Sequence, residues 1–272
     1  MPSFLARSAM QVSIISTFLG PEHEGLPKLA KIGFRLVEIE RGAAASADVR
    51  ALKGLLDRNG MAVSCLMGAD HGIAEKDATT RKDRIEKLKG SVKRAVELGA
   101  TVVETVPMWH GPAEEKRAAL EHAVESYKEA GKFAANHGVV LAIEPVNRAE
   151  TKLVHTLAQA VAMAKAVDLP SVRVMGDTHH MHMVEADPGR AIRQAGELLV
   201  HMHFSDNDRL PPGLGHMDLK AVVSALHEVG YRGALSLAEV RAVGDSEACA
   251  RHCLEYTRAL VSACQLQEKP SP

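Results

Sequence analysis

Short runs rich in β-branched and apolar residues alternate eight times with longer helical patterns, and this alternation limits the folds open to the chain. The predicted strands are residues 11–16, 35–39, 62–66, 101–106, 139–143, 172–176, 199–204 and 234–238. Glycine often stands between a helical pattern and the next strand, as expected where a helix ends and leads into a buried parallel strand. Eight such units in 272 residues predict a single-domain α/β fold, the (β/α)8 TIM barrel.

An open doubly wound sheet is the rival architecture, but no G-x-G-x-x-G turn follows the first predicted strand. Glycine and proline are spread along the chain and form no linker. We therefore expect one barrel domain over residues 1–264 and a short disordered tail over residues 265–272.

Composition excludes several classes of function. Lys and Arg number 33 against 34 Asp and Glu, and aromatic residues make up only 3% of the chain, which argues against a nucleic-acid partner. No run of 18 apolar residues predicts a membrane span. Cys65, Cys249, Cys253 and Cys264 form no C-x-x-C pair, and no secretory signal is evident, so we expect reduced thiols in a cytoplasmic protein.

Acidic residues and a histidine stand at the ends of four consecutive predicted strands: Glu144, Asp177, His203 and Glu239. The carboxyl ends of neighbouring barrel strands share one rim, so these side chains can converge there. Three carboxylates and an imidazole are ligands for a divalent metal, which points to an enzyme. Individually, Asp177 also fits a helix N-cap, and Glu239 also fits a solvated rim residue.

The remaining candidates have structural alternatives. His201, two residues before His203, shares its side of the strand and is interpreted as an interior histidine. His179 and His182 are interpreted as surface residues at a helix start. Trp109, the single tryptophan, follows the fourth strand. It fits either a wall of the substrate pocket or a residue buried against the outer helices.

Three motifs carry a family resemblance: E-P-x-N-R-x-E at residues 144–150, D-T-x-H at 177–180, and H-x-H followed by N-x-R at 201–209. With G-F-x-x-V-E-I at residues 33–39, the chain resembles the xylose isomerase-like TIM-barrel superfamily of sugar (phosphate) isomerases and epimerases. The resemblance is greatest to the ketose 3-epimerases, the tagatose and psicose 3-epimerase group.

The resemblance implies one divalent ion bound by Glu144, Asp177, His203 and Glu239. It implies that His180 and Arg209 hold substrate oxygens and that Glu150 supports the substrate side of the site. Manganese is the usual family metal, with magnesium or cobalt as alternatives, and oxygen-rich ligands favour Mn²⁺ or Mg²⁺. The implied substrate is a sugar or sugar-like molecule, and the implied assembly is a homo-oligomer, a dimer or tetramer.

The chemistry of 3-epimerisation suits these residues. Removing a proton from a carbon beside a ketone needs a base and a stabiliser for the enediolate, which a divalent ion supplies as a Lewis acid. Inverting that carbon also needs proton transfer on both faces, which predicts Glu144 and Glu239 as the acid and base.

Other functions remain open at this point. An aldose–ketose isomerase of the hydroxypyruvate isomerase type uses the same ligands, and so does a dehydratase of the inosose or dehydroshikimate type. An apurinic endonuclease of the same fold needs three zinc ions and a basic surface, which the near-zero net charge disfavours. A non-catalytic binding barrel would leave the four strand-end groups unexplained.

Overall fold

The computed structural model describes residues 10–40, 48–68 and 72–266. Eight parallel strands close into a barrel in the order β1 to β8, each paired with its neighbours along the chain and β8 with β1. The predicted (β/α)8 barrel is thereby confirmed. The strands are β1 Gln11–Ile15, β2 Leu36–Ile39, β3 Ala62–Met67, β4 Val102–Thr105, β5 Val140–Ile143, β6 Val172–Asp177, β7 Leu199–His203 and β8 Ala234–Leu237.

Helices connect the strands and form the outer layer. They are α1 Glu22–Ile32, α2 Val49–Arg58, α3 Ala78–Leu98, α4 Lys116–Asn136, α5 Leu157–Val167, α6 Thr178–Val184, α7 Pro188–Ala195, α8 Leu219–Glu228 and α9 Ser246–Leu266. Helix α9 continues two residues into the predicted tail, and the rest of that tail, residues 267–272, lies outside the described residues. Across the described chain, none of these helices has the length and apolarity needed to cross a membrane.

Side-chain caps start most of these helices where the sequence supplies Asp or Thr. Thr156 and Gln159 form a capping box at the start of α5, and Asp48 and Asp77 cap α2 and α3. At the other end of α3, Gly99 adopts a left-handed conformation with φ 77°. Local sequence therefore sets the helix limits, and burial between helices and barrel stabilises them.

Two register shifts interrupt the pairing of the strands. In β7, Leu199 pairs with Val174 and His201 pairs with Met175, so Val200 is an extra residue without a partner in β6. In β3, Ser64 is extra in the same way opposite Val37 and Glu38 of β2. A bulge of this kind changes the direction in which the following side chains point. Both bulges precede residues of the candidate site.

Candidate active site

A cavity of about 140 Å³ lies at the carboxyl ends of the strands, where the barrel fold predicts the site. Five of the predicted site residues line it: Glu144, Glu150, His180, His203 and Glu239. Its remaining lining residues are Met67, Glu104, Val106, Met108 and Val146. Asp177 contacts His203, and Arg209 contacts His180.

His203, the last residue of β7, lies at the centre of the cluster. Its Nδ1 is 3.3 Å from Glu144 Oε1 and 3.4 Å from Asp177 Oδ2. All three side chains are buried. Ligand atoms of Glu144, Asp177 and His180 lie within 4.8 Å of one another, a spacing that could hold a metal ion. The ends of β5, β6 and β7 therefore bring three of the four predicted ligands together.

Asp177 caps a helix with one oxygen of its carboxylate and faces the cluster with the other. Its Oδ1 accepts a hydrogen bond from the backbone N–H of His179 and caps α6 (2.8 Å). Its Oδ2 accepts from Arg209 Nη1 (2.5 Å) and faces His203. The helix cap holds the side chain in a fixed rotamer, so the second oxygen is presented to the cavity.

Arg209 links Asp177 to Glu239, the fourth predicted ligand. Its Nη2 is 2.9 Å from Glu239 Oε2, and the Glu239 side chain is 60% exposed. Among the described residues, Glu239 belongs to none of the closely spaced groups of ligand atoms. It lines the cavity two residues beyond the end of β8 and pairs with the guanidinium.

Backbone strain is concentrated in these two loops. Arg209 has φ 59°, Glu239 has φ 53° and Asp208 has φ 55°, backbone angles that residues other than glycine rarely adopt. A hydrogen bond from Arg241 N to Arg209 O (2.7 Å) ties the loops together. Strain of this kind costs of order 1–3 kcal/mol per residue and tends to occur at functional sites.

His180 is held from the β5 loop by Asn147 and Glu150. Asn147 Nδ2 is 3.0 Å from His180 Nδ1 and donates to Glu150 Oε1 (2.7 Å). Arg209 Nη2 lies 3.3 Å from the other ring nitrogen, Nε2. Two of the predicted substrate-binding residues, His180 and Arg209, are therefore adjacent. Asn147 was not predicted, although it is the N of the E-P-x-N motif.

Glu38 is a second residue of the site that the sequence did not predict. It lies on β2, is fully buried, and contacts His201 and His203 across the barrel interior at 3.0 Å each. This agrees with the interpretation of His201 as an interior histidine. The available signal was a charged residue inside the apolar strand L-V-E-I, where an unpaired carboxylate would be costly.

Trp109 does not lie with the other site residues. Its side chain is 4% exposed, packs in the main hydrophobic core, and lines a different cavity beside α4 with Ala119 and His122. The prediction of Trp109 as a wall of the substrate pocket is therefore corrected in favour of its alternative, burial against the outer helices. Lys152 N donates to its carbonyl (2.8 Å), which ties the β4 loop to the β5 loop.

Neighbouring charges move the pKa values in this cluster. Burial raises the pKa of Asp177, but the Arg209 guanidinium opposes it and the resulting pKa is well below the usual range. Burial lowers the pKa of His203, but Glu38 and Glu144 outweigh it, so that pKa is well above its ordinary value. A cation bound at His203 Nδ1 would have to displace a proton, as is general for histidine ligands.

Comparisons with known proteins agree with this geometry. A closed barrel with ionisable groups gathered at the carboxyl ends of its strands defines the class, that of the TIM-barrel enzymes. Residues 26–260 match the xylose isomerase-like TIM barrel family, and the chain belongs to that family. The resemblance inferred from the three motifs is confirmed.

Curated relatives of the chain are named as sugar epimerases. The chain is 30% identical over 220 residues to a D-psicose 3-epimerase of Ruminiclostridium cellulolyticum, covering 77% of this chain and 75% of the relative. It is 31% identical over 219 residues to an L-ribulose 3-epimerase of Mesorhizobium japonicum, covering 78% and 73%. A solved structure of an L-ribulose 3-epimerase superposes with a TM-score of 0.86 at 23% identity, covering 97% of this chain and all of that one.

Proposed function

We propose that this protein is a metal-dependent ketose 3-epimerase. The observation that carries the proposal is the meeting of Glu144, Asp177 and His203 in one buried cluster at the carboxyl ends of the strands. The relatives named as D-psicose and L-ribulose 3-epimerases support a ketose as the substrate. The same scaffold supports isomerase and dehydratase chemistry, so the position of the moved proton decides among them.

The residues present fit a divalent cation. Glu144 Oε1 is buried and, within the described part of the chain, receives no well-aligned hydrogen bond. It lies 3.3 Å from His203 Nδ1, which is itself 3.4 Å from Asp177 Oδ2. Glu144, Asp177, His203 and Glu239 would hold the ion, with manganese as the proposed metal because oxygen ligands predominate. When bound, the ion would supply Lewis-acid stabilisation of negative charge on the substrate oxygens.

Glu144 and Glu239 are the proposed proton carriers. They approach the cavity from β5 and β8, and their environments differ, since Glu144 is buried and Glu239 is largely exposed. A pair of carboxylates in unlike environments suits an acid and a base working on opposite faces of one carbon. Each would remove or return the proton on its own side of C3.

Arg209 and His180 are proposed to orient the sugar. The guanidinium is always charged and presents several N–H donors in a fixed fork, which suits vicinal hydroxyl oxygens. His180 is buried and braced by Asn147, so its ring orientation is fixed before substrate arrives. Such preorganisation aligns the C–H bond with a carboxylate.

The test is a screen of free and phosphorylated ketoses with Mn²⁺ in deuterated water. The proposal expects activity that EDTA abolishes and Mn²⁺ restores, with deuterium at C3 of an inverted product. Label at C1 or C2 would identify an aldose–ketose isomerase, and loss of water a dehydratase. Either outcome overturns the 3-epimerase proposal.

Variants test the two glutamates. Glu144→Gln and Glu239→Gln keep the side-chain volume but remove a base, and each should stop net epimerisation. Glu197→Gln is the matched control, because Glu197 is exposed and lies before β7, at the opposite end of the barrel. Full activity in either site variant would contradict the acid–base pair.

Two broader expectations accompany this function. We propose a homo-oligomer, to be checked by light scattering coupled to size-exclusion chromatography. We also propose a cytoplasmic location, which the four free cysteines support.

A further inference from the structure

Glu38 bridges two histidines inside the barrel. Its Oε1 lies 3.0 Å from His203 Nε2, and its Oε2 lies 3.0 Å from His201 Nε2. The two imidazole rings are nearly perpendicular, with 85° between their planes and 5.6 Å between centroids. Strand β2 is not adjacent to β7 in the barrel, so this contact crosses the interior. All three side chains are buried, and each oxygen of the carboxylate faces one ring nitrogen.

This arrangement determines which nitrogen of His203 faces the cavity. An ionised carboxylate only accepts hydrogen bonds, so Nε2 of each ring must carry a hydrogen. In neutral His203 the lone pair is then on Nδ1, the nitrogen that faces Glu144 Oε1 at 3.3 Å and Asp177 Oδ2 at 3.4 Å. Histidines that bind metals commonly donate their second ring N–H to a carboxylate, which fixes ring orientation and makes the ligand more basic.

We propose that Glu38 is a positioning residue, which holds His203 through Nε2 so that Nδ1 is available as a ligand for the divalent cation. His201 donates a hydrogen bond to the other carboxylate oxygen of Glu38, which keeps that carboxylate from rotating. The inference rests on the proposed cation site and adds to it Glu38, which lies on β2 and is not among the residues that line the cavity.

Another use of the same residues is a second metal site. The ligand atoms of Glu38, His201 and His203 lie within 4.8 Å of one another. Each ring nitrogen faces its own carboxylate oxygen at 3.0 Å, the length of a direct N–H···O hydrogen bond, so the pairing needs no ion between the groups. A single ion per chain distinguishes the two interpretations.

The experiment measures Mn²⁺ binding directly, through the electron paramagnetic resonance signal of free Mn²⁺ at one fixed pH. In Glu38→Gln the amide has one acceptor and one donor group, so one histidine loses its acceptor. Even if the amide oxygen accepts the hydrogen bond from His203 Nε2, the negative charge of the carboxylate next to that ring is lost. Mn²⁺ affinity should fall by about 10–100-fold, the usual effect of removing such a supporting carboxylate.

Glu40→Gln is the matched control, since Glu40 lies two residues further along and is exposed, bonded to Thr17 at the surface. Its Mn²⁺ affinity should equal that of the unmodified protein. Circular dichroism and the melting temperature in EDTA establish that each variant folds. A purely structural role for Glu38 would lower that melting temperature and leave the affinity unchanged. Should Glu38→Gln fail to fold, Glu38→Asp, which withdraws the carboxylate by one methylene, should show the same loss of affinity.

The outcomes separate this inference from the proposed function. Unmodified affinity in the folded Glu38 variants, or two ions bound per unmodified chain, overturns the positioning role. Failure of the unmodified protein to bind one Mn²⁺, or full binding by His203→Ala, instead overturns the cation site on which the proposed function depends.

Discussion

Replacing Arg209 by alanine in the metal-free protein tests how strongly the site depends on one ion pair. The guanidinium donates to Asp177 Oδ2 at 2.5 Å; the Asp177 side chain has no exposure and that of Arg209 is 16% exposed. Breaking a buried ion pair from one side costs roughly 3–5 kcal/mol. Asp177 keeps its bond to the backbone of His179, so the low end of that range, about 3 kcal/mol, is expected. The second pair, with the exposed Glu239, adds little.

The loss converts into a measurable shift in melting temperature. Unfolding entropy is about 2.1 cal/mol/K per residue, or about 0.6 kcal/mol/K for 272 residues. A loss of about 3 kcal/mol should therefore lower the Tm by about 5 °C in EDTA, followed by circular dichroism or calorimetry. The double variant Asp177→Asn, Arg209→Ala should recover most of the lost Tm, because asparagine keeps the helix cap without placing a charge in the interior.

The control is Arg193→Ala, which removes an arginine from a surface pair with Glu228, where both side chains are over 40% exposed. Its Tm should change by at most about 2 °C, since exposed pairs contribute roughly 0–1 kcal/mol. The reasoning is refuted if Arg209→Ala melts at the same temperature as Arg193→Ala.

The difference in Tm between the unmodified protein and Arg209→Ala should also depend on pH, in a direction that the pKa of Asp177 determines. Burial raises its pKa, and the Arg209 guanidinium more than reverses this, so the folded pKa is below the usual one. The stability from the pair is fully present above the unfolded pKa of about 3.9 and is lost as pH falls through the lower folded pKa. The Tm difference between the unmodified protein and Arg209→Ala should therefore stay constant from about pH 7 down to about pH 4 and narrow as the pH falls further.

Two further predictions concern the core. Gly131→Ala in α4 would bring a methyl within 2.6 Å of a Val172 side-chain carbon and should destabilise by about 1–3 kcal/mol in chemical unfolding. In Gly90→Ala in α3 the added methyl meets nothing within 4 Å, so this variant should instead be more stable to unfolding by about 0.5–1 kcal/mol. Stability changes of the same sign in the two variants would contradict the packing argument. Burial raises the thiol pKa values of Cys65 and Cys253, so both should react with a disulfide reagent only after unfolding, and rapid native labelling would refute this.

Fold and strand ends were predictable because they depend on patterns that are local in sequence. The apolar runs marked every strand to within one residue at either end, and the glycine at position 99 marked a helix end. The prediction for Asp177 as either ligand or cap treated the two as alternatives. The structure shows the cap and leaves the second oxygen facing His203, so the cap does not exclude the proposed ligand role.

What the sequence could not predict depends on contacts between distant segments. Glu38 and His203 are 165 positions apart, and their pairing requires the closed barrel to bring β2 and β7 to face each other. The prediction that Trp109 lines the substrate pocket was wrong for a related reason. Its position after β4 predicted a place at the rim of the barrel, but the direction of its ring depends on packing against α4. The pairing of Glu239 with Arg209 likewise depends on two left-handed loop residues that no local pattern marks.

The extra residue Val200 in β7 has a consequence for protein engineering. Side chains alternate across a strand, so a shift of one residue would turn His201 and His203 from the barrel interior towards the helices. Transplanting the site onto another barrel by copying ligand identities at strand ends would therefore fail unless the bulge were copied with them. The unit to be transferred is therefore β7 together with its bulge at Val200. A recipient barrel with regular strands would need one residue inserted before the position of the first histidine.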